Sequence, residues 1–268
     1  MVLKEREINL PQWLDDYIFN HLRARYNRIN GDMVVLEWDQ DKICDYLGTY
    51  FPRSFAESYC IFKQYFQGRD IFTTEETISL LDFGCGTGGE IFGLATVLIE
   101  CRPNIKTLKV KAIDGNQYAL NRFDDIKDMF NKCMPMQIVC NPSAVKIDDF
   151  YDLSILDVIL DSHYDIIISF KAVCEFVTKQ QLEEKNVYEH LAKFMLPKLS
   201  DTGIMLLVDV SSKNKITQEW LPDLMNRGLR NANAVVLEHN PMNNQTFVVN
   251  HSRQRGDLSK VAWRIITK

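Results

Sequence analysis

Asp82, followed by Gly84, Gly86, Gly88 and Gly89, is where side-chain type and spacing first point to chemistry in this chain. Three of these glycines alternate with other residues just after the apolar run Leu80-Leu81-Asp82-Phe83. Glycine is needed where a chain turns sharply from strand into helix, and where a ligand must approach the backbone without meeting a Cβ. Gly84, Gly86 and Gly89 also satisfy G-x-G-x-x-G, the dinucleotide fingerprint, but that spacing alone is weak. Asp82 discriminates between ligands. A carboxylate two residues ahead of the first glycine would oppose a pyrophosphate, whereas it attracts a nucleoside carrying a cationic amino-acid end, as S-adenosylmethionine does through its α-ammonium and sulfonium. Asp114 closes the next apolar run and can accept hydrogen bonds from ribose hydroxyls with either ligand.

The elements that must position these residues follow an α/β pattern. From Thr77 onward short β-rich runs alternate with helical stretches. Strands are expected over Ile78–Phe83, Leu108–Ile113, Met136–Cys140, Tyr164–Phe170 and Gly203–Val210, with helices over Gly88–Glu100, Gln117–Phe130 and about Glu183–Leu199. Such alternation implies a parallel sheet with right-handed crossovers, which binds ligands at the carboxyl ends of its strands. Ala234–Glu238, Thr246–His251 and Val261–Ile266 are strand-like without intervening helices, so the sheet is expected to end in an antiparallel hairpin that turns at Arg253–Asp257. The fold class is α/β, a doubly wound, mostly parallel seven-stranded sheet. Ahead of it lies a helical N-terminal region, residues 1–76, expected to serve as a lid or in substrate recognition, with residues 77–268 as the main domain. In that first region Trp13, Tyr17, Ile18 and Leu22, then Ile43, Tyr46 and Leu47, then Phe55, Tyr59, Phe62 and Phe66 recur at helical spacing. An extended piece is expected over Met33–Trp38. Pro52 is expected to end the second helix, and Ser54 with Glu57 to form a capping box that opens the third.

Composition narrows the function classes. With 268 residues and 46% hydrophobic content the chain can bury an ordinary core. Neither a signal-peptide-like start nor an apolar run of about 20 residues is present, so a soluble cytoplasmic protein without membrane attachment is expected. The seven cysteines are scattered, without C-x-x-C pairs, which reads as reduced thiols and no metal site. The net charge of -5 argues against a protein that coats nucleic acid. From Ser211 to Lys268, however, about nine basic residues stand against about four acidic ones, giving either solvated faces or a surface for an anionic substrate.

At this point the residues resemble a known superfamily. Leu81-Asp82-Phe83-Gly84-Cys85-Gly86-Thr87-Gly88 resembles the first motif of the class I S-adenosylmethionine-dependent methyltransferases, and Ala112-Ile113-Asp114 resembles their acidic second motif. Tyr164–Phe170 followed by Leu196–Val208 is similar to their fourth strand, helix and fifth strand. The resemblance covers roughly Thr77 to Val210. It implies S-adenosylmethionine as cofactor, held by Asp82, Gly84, Cys85, Gly86, Gly88, Asp114, Gly115 and Phe170. The adenine would lie near Asp148, Asp149 and Phe150, with Asn141 or Ser143 as alternatives.

Methyl transfer requires an in-line approach and often a proton acceptor. The loop after the fourth strand reads Phe170-Lys171-Ala172-Val173-Cys174-Glu175-Phe176. Glu175 and Lys171 are its catalytic candidates, or else a solvated helical ion pair. An Asn-Pro-Pro-Tyr type of tetrad is absent there, which disfavours the amino-directed nucleic-acid chemistry that uses it, and Cys174 reads as a small buried cysteine. Tyr46–Ala56 and Phe247–Arg253 are similar to methyltransferase-like proteins associated with assembly of the small ribosomal subunit, although the cysteine cluster usual in that branch is missing. That kinship would imply RNA or a ribosomal subunit as partner, contacted by Arg53, Arg227, Arg230, Arg253 and Arg255. The competing expectations are a small-molecule substrate and a catalytically silent cofactor-binding assembly or regulatory protein.

Overall fold

The computed structural model describes residues 6–28, 38–176, 185–214, 218–240 and 243–268. The elements begin with β1 (Glu7–Asn9), α1 (Gln12–Asp16), α2 (Gln40–Thr49), α3 (Phe51–Phe66), β2 (Thr77–Phe83), α4 (Gly89–Cys101), β3 (Thr107–Asp114), α5 (Gln117–Cys133), β4 (Gln137–Cys140) and β5 (Ser143–Ala144). They continue with α6 (Ser154–Ile159), β6 (Tyr164–Phe170), α7 (Val173–Phe176), α8 (Val187–Met195), β7 (Leu199–Val210), α9 (Leu221–Asn231), β8 (Val235–His239), β9 (Gln245–His251) and β10 (Gln254–Thr267). The chain forms two compact units that alternate along the sequence. The first is Met1–Ile78, Cys85–Val145 and Thr246–Ser259; the second is Ser79–Gly84, Lys146–Gln245 and Lys260–Lys268.

In the first unit β3 and β4 are parallel, with Thr107 opposite Gln137 and Val110 opposite Cys140, and α5 makes the crossover between them. Helix α5 is amphipathic and buries Leu120, Phe123, Ile126 and Phe130. Asn116 starts it by accepting from the amides of Tyr118 and Ala119 at 2.9 and 3.1 Å, and donates its own side-chain N–H to Trp38 O. Helix α4 is apolar nearly all round and correspondingly buried. Its packing against α3 depends on two glycines: a Cβ on Gly89 would lie 2.5 Å from Phe51 O, and one on Gly93 2.5 Å from Phe55 O. The Ser58 hydroxyl seals the contact by donating to Glu90 O at 2.7 Å. Gly89 therefore serves helix packing.

The far end of α3 is closed by Arg102. Its buried guanidinium donates to Ile71 O, Cys101 O, Phe66 O and Arg69 O at 2.5–3.3 Å. Arg102→Met is expected to lower stability by about 2–3 kcal/mol, because those carbonyls lose a shared charged donor. Urea unfolding measures this, and a loss under about 0.5 kcal/mol would refute the assignment.

In the second unit β2, β6 and β7 run parallel. Leu80, Leu81 and Asp82 face Ile166, Ile167 and Ile168, and Ile166–Phe170 pair with Ile204–Val208. The run Tyr164–Phe170 is nearly continuous in apolar residues because both faces are covered. Val261–Ile266 of β10 then pair antiparallel with Met205–Val210, and β8 joins β10 antiparallel as well. Trp263 is fully buried and donates from its indole N–H to Gln245 Oε1 at 2.8 Å. Beside it, the buried Arg264 is held by Asn226, Asn240, Asn243 and Trp263 O, and burial lowers its pKa to about 10.

The α/β class and the antiparallel end of the sheet are as expected, and several details differ. Pro52 lies in the first turn of α3 instead of ending α2, since a missing N–H costs nothing there. Ser54 and Glu57 are buried inside α3, and no side chain caps it. The first expected helix is a five-residue α1 that continues as a π-helical turn over Tyr17–His21. The hairpin turns at residues 252–253, and β10 begins at Gln254, earlier than a turn at Arg253–Asp257 would allow. Ten strands are present among the described residues where seven are expected. The short β1 and β5 offer no period to read, and β1 exists because it pairs in parallel with β9, Ile8 opposite Val249. The expected extended piece at Met33–Trp38, apart from Trp38, lies outside the described residues, as does the start of the helix expected at Glu183.

Candidate cofactor site

The strand–loop–helix segment supports a site through its backbone. Gly84, Gly86 and Gly88 all have left-handed φ, +75°, +50° and +79°, a region costly for other residues. Each glycine has its own neighbour. A Cβ on Gly84 would stand 2.3 Å from Ala172 Cβ, one on Gly88 2.4 Å from the Phe123 ring, and one on Gly86 2.9 Å from the Tyr46 hydroxyl. Gly84 and Gly88 are thus fixed by close packing, whereas Gly86 meets only the far end of a flexible side chain.

In the first unit the loop is held open by hydrogen bonds. Cys85, buried, donates its amide to Ile113 O at 3.0 Å, and Gly88 N donates to Cys85 O at 2.7 Å. Asp114, at the end of β3, accepts from Gly86 N on one oxygen and from Asn116 N on the other, both at 2.8 Å. Burial raises the Asp114 pKa above the ordinary value, opposed by the amides of Asn116, Gly86 and Gly115. A carboxylate has about four acceptor positions. The amides of Gly86, Gly115 and Asn116 use three of them, which leaves some acceptor capacity on Asp114. Tyr46, from α2, stands over Gly86 between Trp38 and Tyr50, with ring centroids 5.7 and 5.2 Å away. Neither Tyr46 nor Asn116 is a residue that the sequence reading singles out for the site. Their only signal was a place on a helical face and a polar residue ahead of a helix.

In the second unit Asp82 is fully buried at the end of β2, opposite Ile168. Phe170 ends β6 and is buried. Lys171 follows it with a left-handed φ of +55° and donates its amide to Val208 O at 2.7 Å. Because α7 starts only at Val173, Lys171 and Glu175 do not share a continuous helical face, and the expected helical ion-pair geometry is corrected. Glu175 is exposed on α7. Phe150 is buried against Phe83, Tyr151 and His190, Asp148 is exposed and 3.3 Å from Lys146, and Asp149 accepts from Tyr151 N at 2.9 Å. In the first unit the alternative Ser143 accepts from Lys111 Nζ at 3.0 Å.

A polar knot that sequence reasoning missed lies where β7 ends. The buried Asp209 accepts from the fully buried Tyr188 hydroxyl at 2.8 Å, and the Cys174 thiol shares its one S–H between Asp209 and Lys171 O, the latter at 3.2 Å. Burial, then the Asp209 charge, pushes the Cys174 thiol well above its ordinary pKa, which suits a structural thiol better than a nucleophile.

No protein-family model and no curated protein matches the chain. Among solved structures it is similar to a SAM-dependent methyltransferase of Leishmania major, with 11% identity, 87% of each chain covered and a TM-score of 0.46. It is also similar to the rRNA methyltransferase aviRa of Streptomyces viridochromogenes, with 11% identity, 79% of this chain and 84% of that one, and a TM-score of 0.44. A third is the [4+2]-cyclase SpnF, at 16%, 86%, 72% and 0.43. These TM-scores are all below one half, and the fold is defined by the chain's own strands. It rests on three parallel strands β2, β6 and β7 with an antiparallel β10, a glycine turn leaving β2, and acids ending β2 and β3. The fold is a Rossmann-like, mostly parallel α/β sheet with an antiparallel end.

On this α/β fold the five arginines expected to meet phosphate divide. Arg53 is committed, donating to both Asp257 oxygens at 2.9 and 2.8 Å, and Arg227 pairs with Glu219. Arg53 is thereby corrected from a substrate contact to a buried ion pair, whereas the Arg227 pair lies at the surface with Arg227 half-exposed. Arg230, Arg253 and Arg255 are exposed. Among the described residues no cluster of His, Cys, Asp or Glu could hold a metal ion, and no helix is long and apolar enough to cross a membrane.

Proposed function

We propose that this chain is an S-adenosylmethionine-dependent methyltransferase whose substrate is RNA or a ribonucleoprotein. The observation that carries the cofactor reading is the left-handed glycine loop tethered through Gly86 N to Asp114 and preceded by the buried carboxylate of Asp82. Backbone without Cβ atoms lets a nucleoside lie close, Asp114 keeps acceptor capacity for ribose, and Asp82 supplies negative charge for a cationic amino-acid end. When bound, S-adenosylmethionine supplies a methyl group made electrophilic by its sulfonium. Gly84, Cys85, Gly86, Gly88 and Gly115 would hold it through backbone, with Phe170 and the Asp148-Asp149-Phe150 stretch assigned to its apolar and adenine contacts. Glu175 accepts the substrate's proton or ligates the substrate, and Lys171 is its companion. The helical N-terminal region acts as lid, with Tyr46 over Gly86 as its nearest side chain.

The RNA preference draws on the basic C-terminal segment and on Arg230, Arg253 and Arg255 at its surface. The buried pairing of Arg53 leaves fewer cations for phosphate, which favours a small-molecule substrate as the second reading. Incubation with methyl-labelled S-adenosylmethionine and separate RNA and metabolite pools is expected to label RNA. Binding of that RNA should weaken steeply with salt. A flat salt response overturns the RNA assignment, and tight cofactor binding with no label in any pool overturns turnover itself.

A further inference from the structure

The first unit contains a second polar hollow, built from none of the glycine-loop residues. A groove of about 560 Å³ opens where the parallel strands β1 and β9 end, between Asn9–Asp15 and Asn250–Arg255. Its acid is already satisfied: the buried Asp15 carboxylate accepts from Ser252 N at 3.0 Å and from the Ser252 hydroxyl at 3.1 Å. Among the described residues Arg253 donates to Phe19 O and the Asn20 side chain, with its guanidinium 5.9 Å from the Phe19 ring, and no carboxylate pairs with Arg253 or Arg255.

The lining also includes His251, which is only 7% exposed. The ring is stacked on Phe19, centroids 4.9 Å apart at 8°, and flanked by Tyr26. Both ring nitrogens are buried, and neither has a hydrogen-bond partner among the described residues. A buried polar atom left unpaired costs roughly 1–3 kcal/mol, so a fold that holds this imidazole by aromatic stacking sustains that cost at the lining of a cationic groove. A neutral imidazole offers one N–H donor and one acceptor, and once the groove lining shifts to expose the ring, a phosphate monoester or diester beside a hydroxyl answers both while its charge is met by the two arginines.

We propose that this groove is a binding site for a phosphate group, recognised by Arg253, Arg255 and His251. The site shares Arg253 and Arg255 with the RNA contacts proposed above, but it does not rest on cofactor binding or methyl transfer. The phosphate can belong to a nucleotide-sized molecule or to an RNA backbone, and the arms of the test separate these.

The full chain, labelled in its histidine rings, is titrated by NMR at constant ionic strength with inorganic phosphate, with a nucleoside monophosphate and with a short oligoribonucleotide. His251→Phe, which keeps an aromatic ring on Phe19, assigns the His251 signal. The expected result is a saturable shift of that signal with phosphate and a tighter one with the monophosphate, both weakened at least tenfold in the Arg253→Gln/Arg255→Gln double variant at unchanged thermal stability. Binding of the monophosphate to His251→Phe should be at least fivefold weaker. Competition by the oligoribonucleotide assigns the site to an RNA backbone, and failure to compete assigns it to a small phosphorylated molecule. The proposal is overturned if no arm gives a saturable shift, if chloride gives the same shift as phosphate, or if the double arginine variant binds as well as the parent. Because none of these readouts uses the cofactor, their failure is distinct from failure of the methyl-transfer assignment.

Discussion

Gly86→Val is expected to remove S-adenosylmethionine binding while the chain stays folded. Gly86 has φ +50°, and an added Cβ would lie 2.9 Å from the Tyr46 hydroxyl and 3.2 Å from its ring. A side chain in the left-handed region costs about 1–2 kcal/mol, more if β-branched, against a total stability of about 5–15 kcal/mol. Tyr46 can rotate away, so the fold survives. A ligand has no such freedom: the new methyl groups fill the approach to the backbone, and the amide held by Asp114 shifts with them. An affinity loss of at least about 100-fold, near 2.7 kcal/mol, is expected by calorimetry, with circular dichroism unchanged. Gly88→Ala provides the contrast. Its Cβ would lie 2.4 Å from a ring carbon of Phe123 in the core, so it is expected to unfold the domain before it reports on the ligand. If Gly86→Val binds the cofactor as tightly as the parent chain, the pocket lies elsewhere.

The largest stability effect is expected at Asp257. Its side chain is inaccessible to solvent and accepts from Arg53 twice, from the Tyr26 hydroxyl at 3.0 Å and from Arg28 at 3.1 Å, while Arg53 is itself only 12% exposed. Asp257→Asn leaves a mostly buried guanidinium without its counter-charge and is expected to cost about 3–5 kcal/mol in urea unfolding near neutral pH. Burial acts to raise the Asp257 pKa, but the hydrogen bonds and charge of Arg53, with Tyr26 and Arg28, outweigh it and hold the carboxyl below its ordinary value. A depressed folded pKa means that the unfolded chain takes up the proton first. The stabilisation is therefore fully present above about pH 4, the unfolded value, and is lost as pH falls through the lower folded value. The gap between the parent and Asp257→Asn should narrow over that window. A gap under about 1 kcal/mol at neutral pH, or one that widens on acidification, refutes this account.

The residues of these two predictions differ in how legible they were. Gly86 was legible because a left-handed turn between a strand and a helix is a local requirement, visible as alternating glycines next to an apolar run. The same locality made β2, α4, β3, α5 and β6 readable from period and composition, with Asp82 and Asp114 at the strand ends. The partnership of Arg53 with Asp257 was not legible. They lie 204 positions apart, and nothing in either neighbourhood marks one as the other's counter-ion. Arg53 could thus be read as a surface cation, when tertiary packing had already assigned its charge.

The sequence by itself determined the alternating architecture, the left-handed glycine turn between strand and helix and the acidic residues near the strand ends, because each follows from side-chain chemistry over a few consecutive residues. Only the tertiary structure decided what surrounds them. Tyr46 stands over Gly86, and Gly89 serves the packing of α4 on α3. Cys174 is tied to Asp209 and Tyr188, and His251 is stacked on Phe19 beside a cationic groove. Each of these depends on contacts between distant segments, whose geometry is set by the packing of whole helices and strands and leaves no local trace in the order of residues.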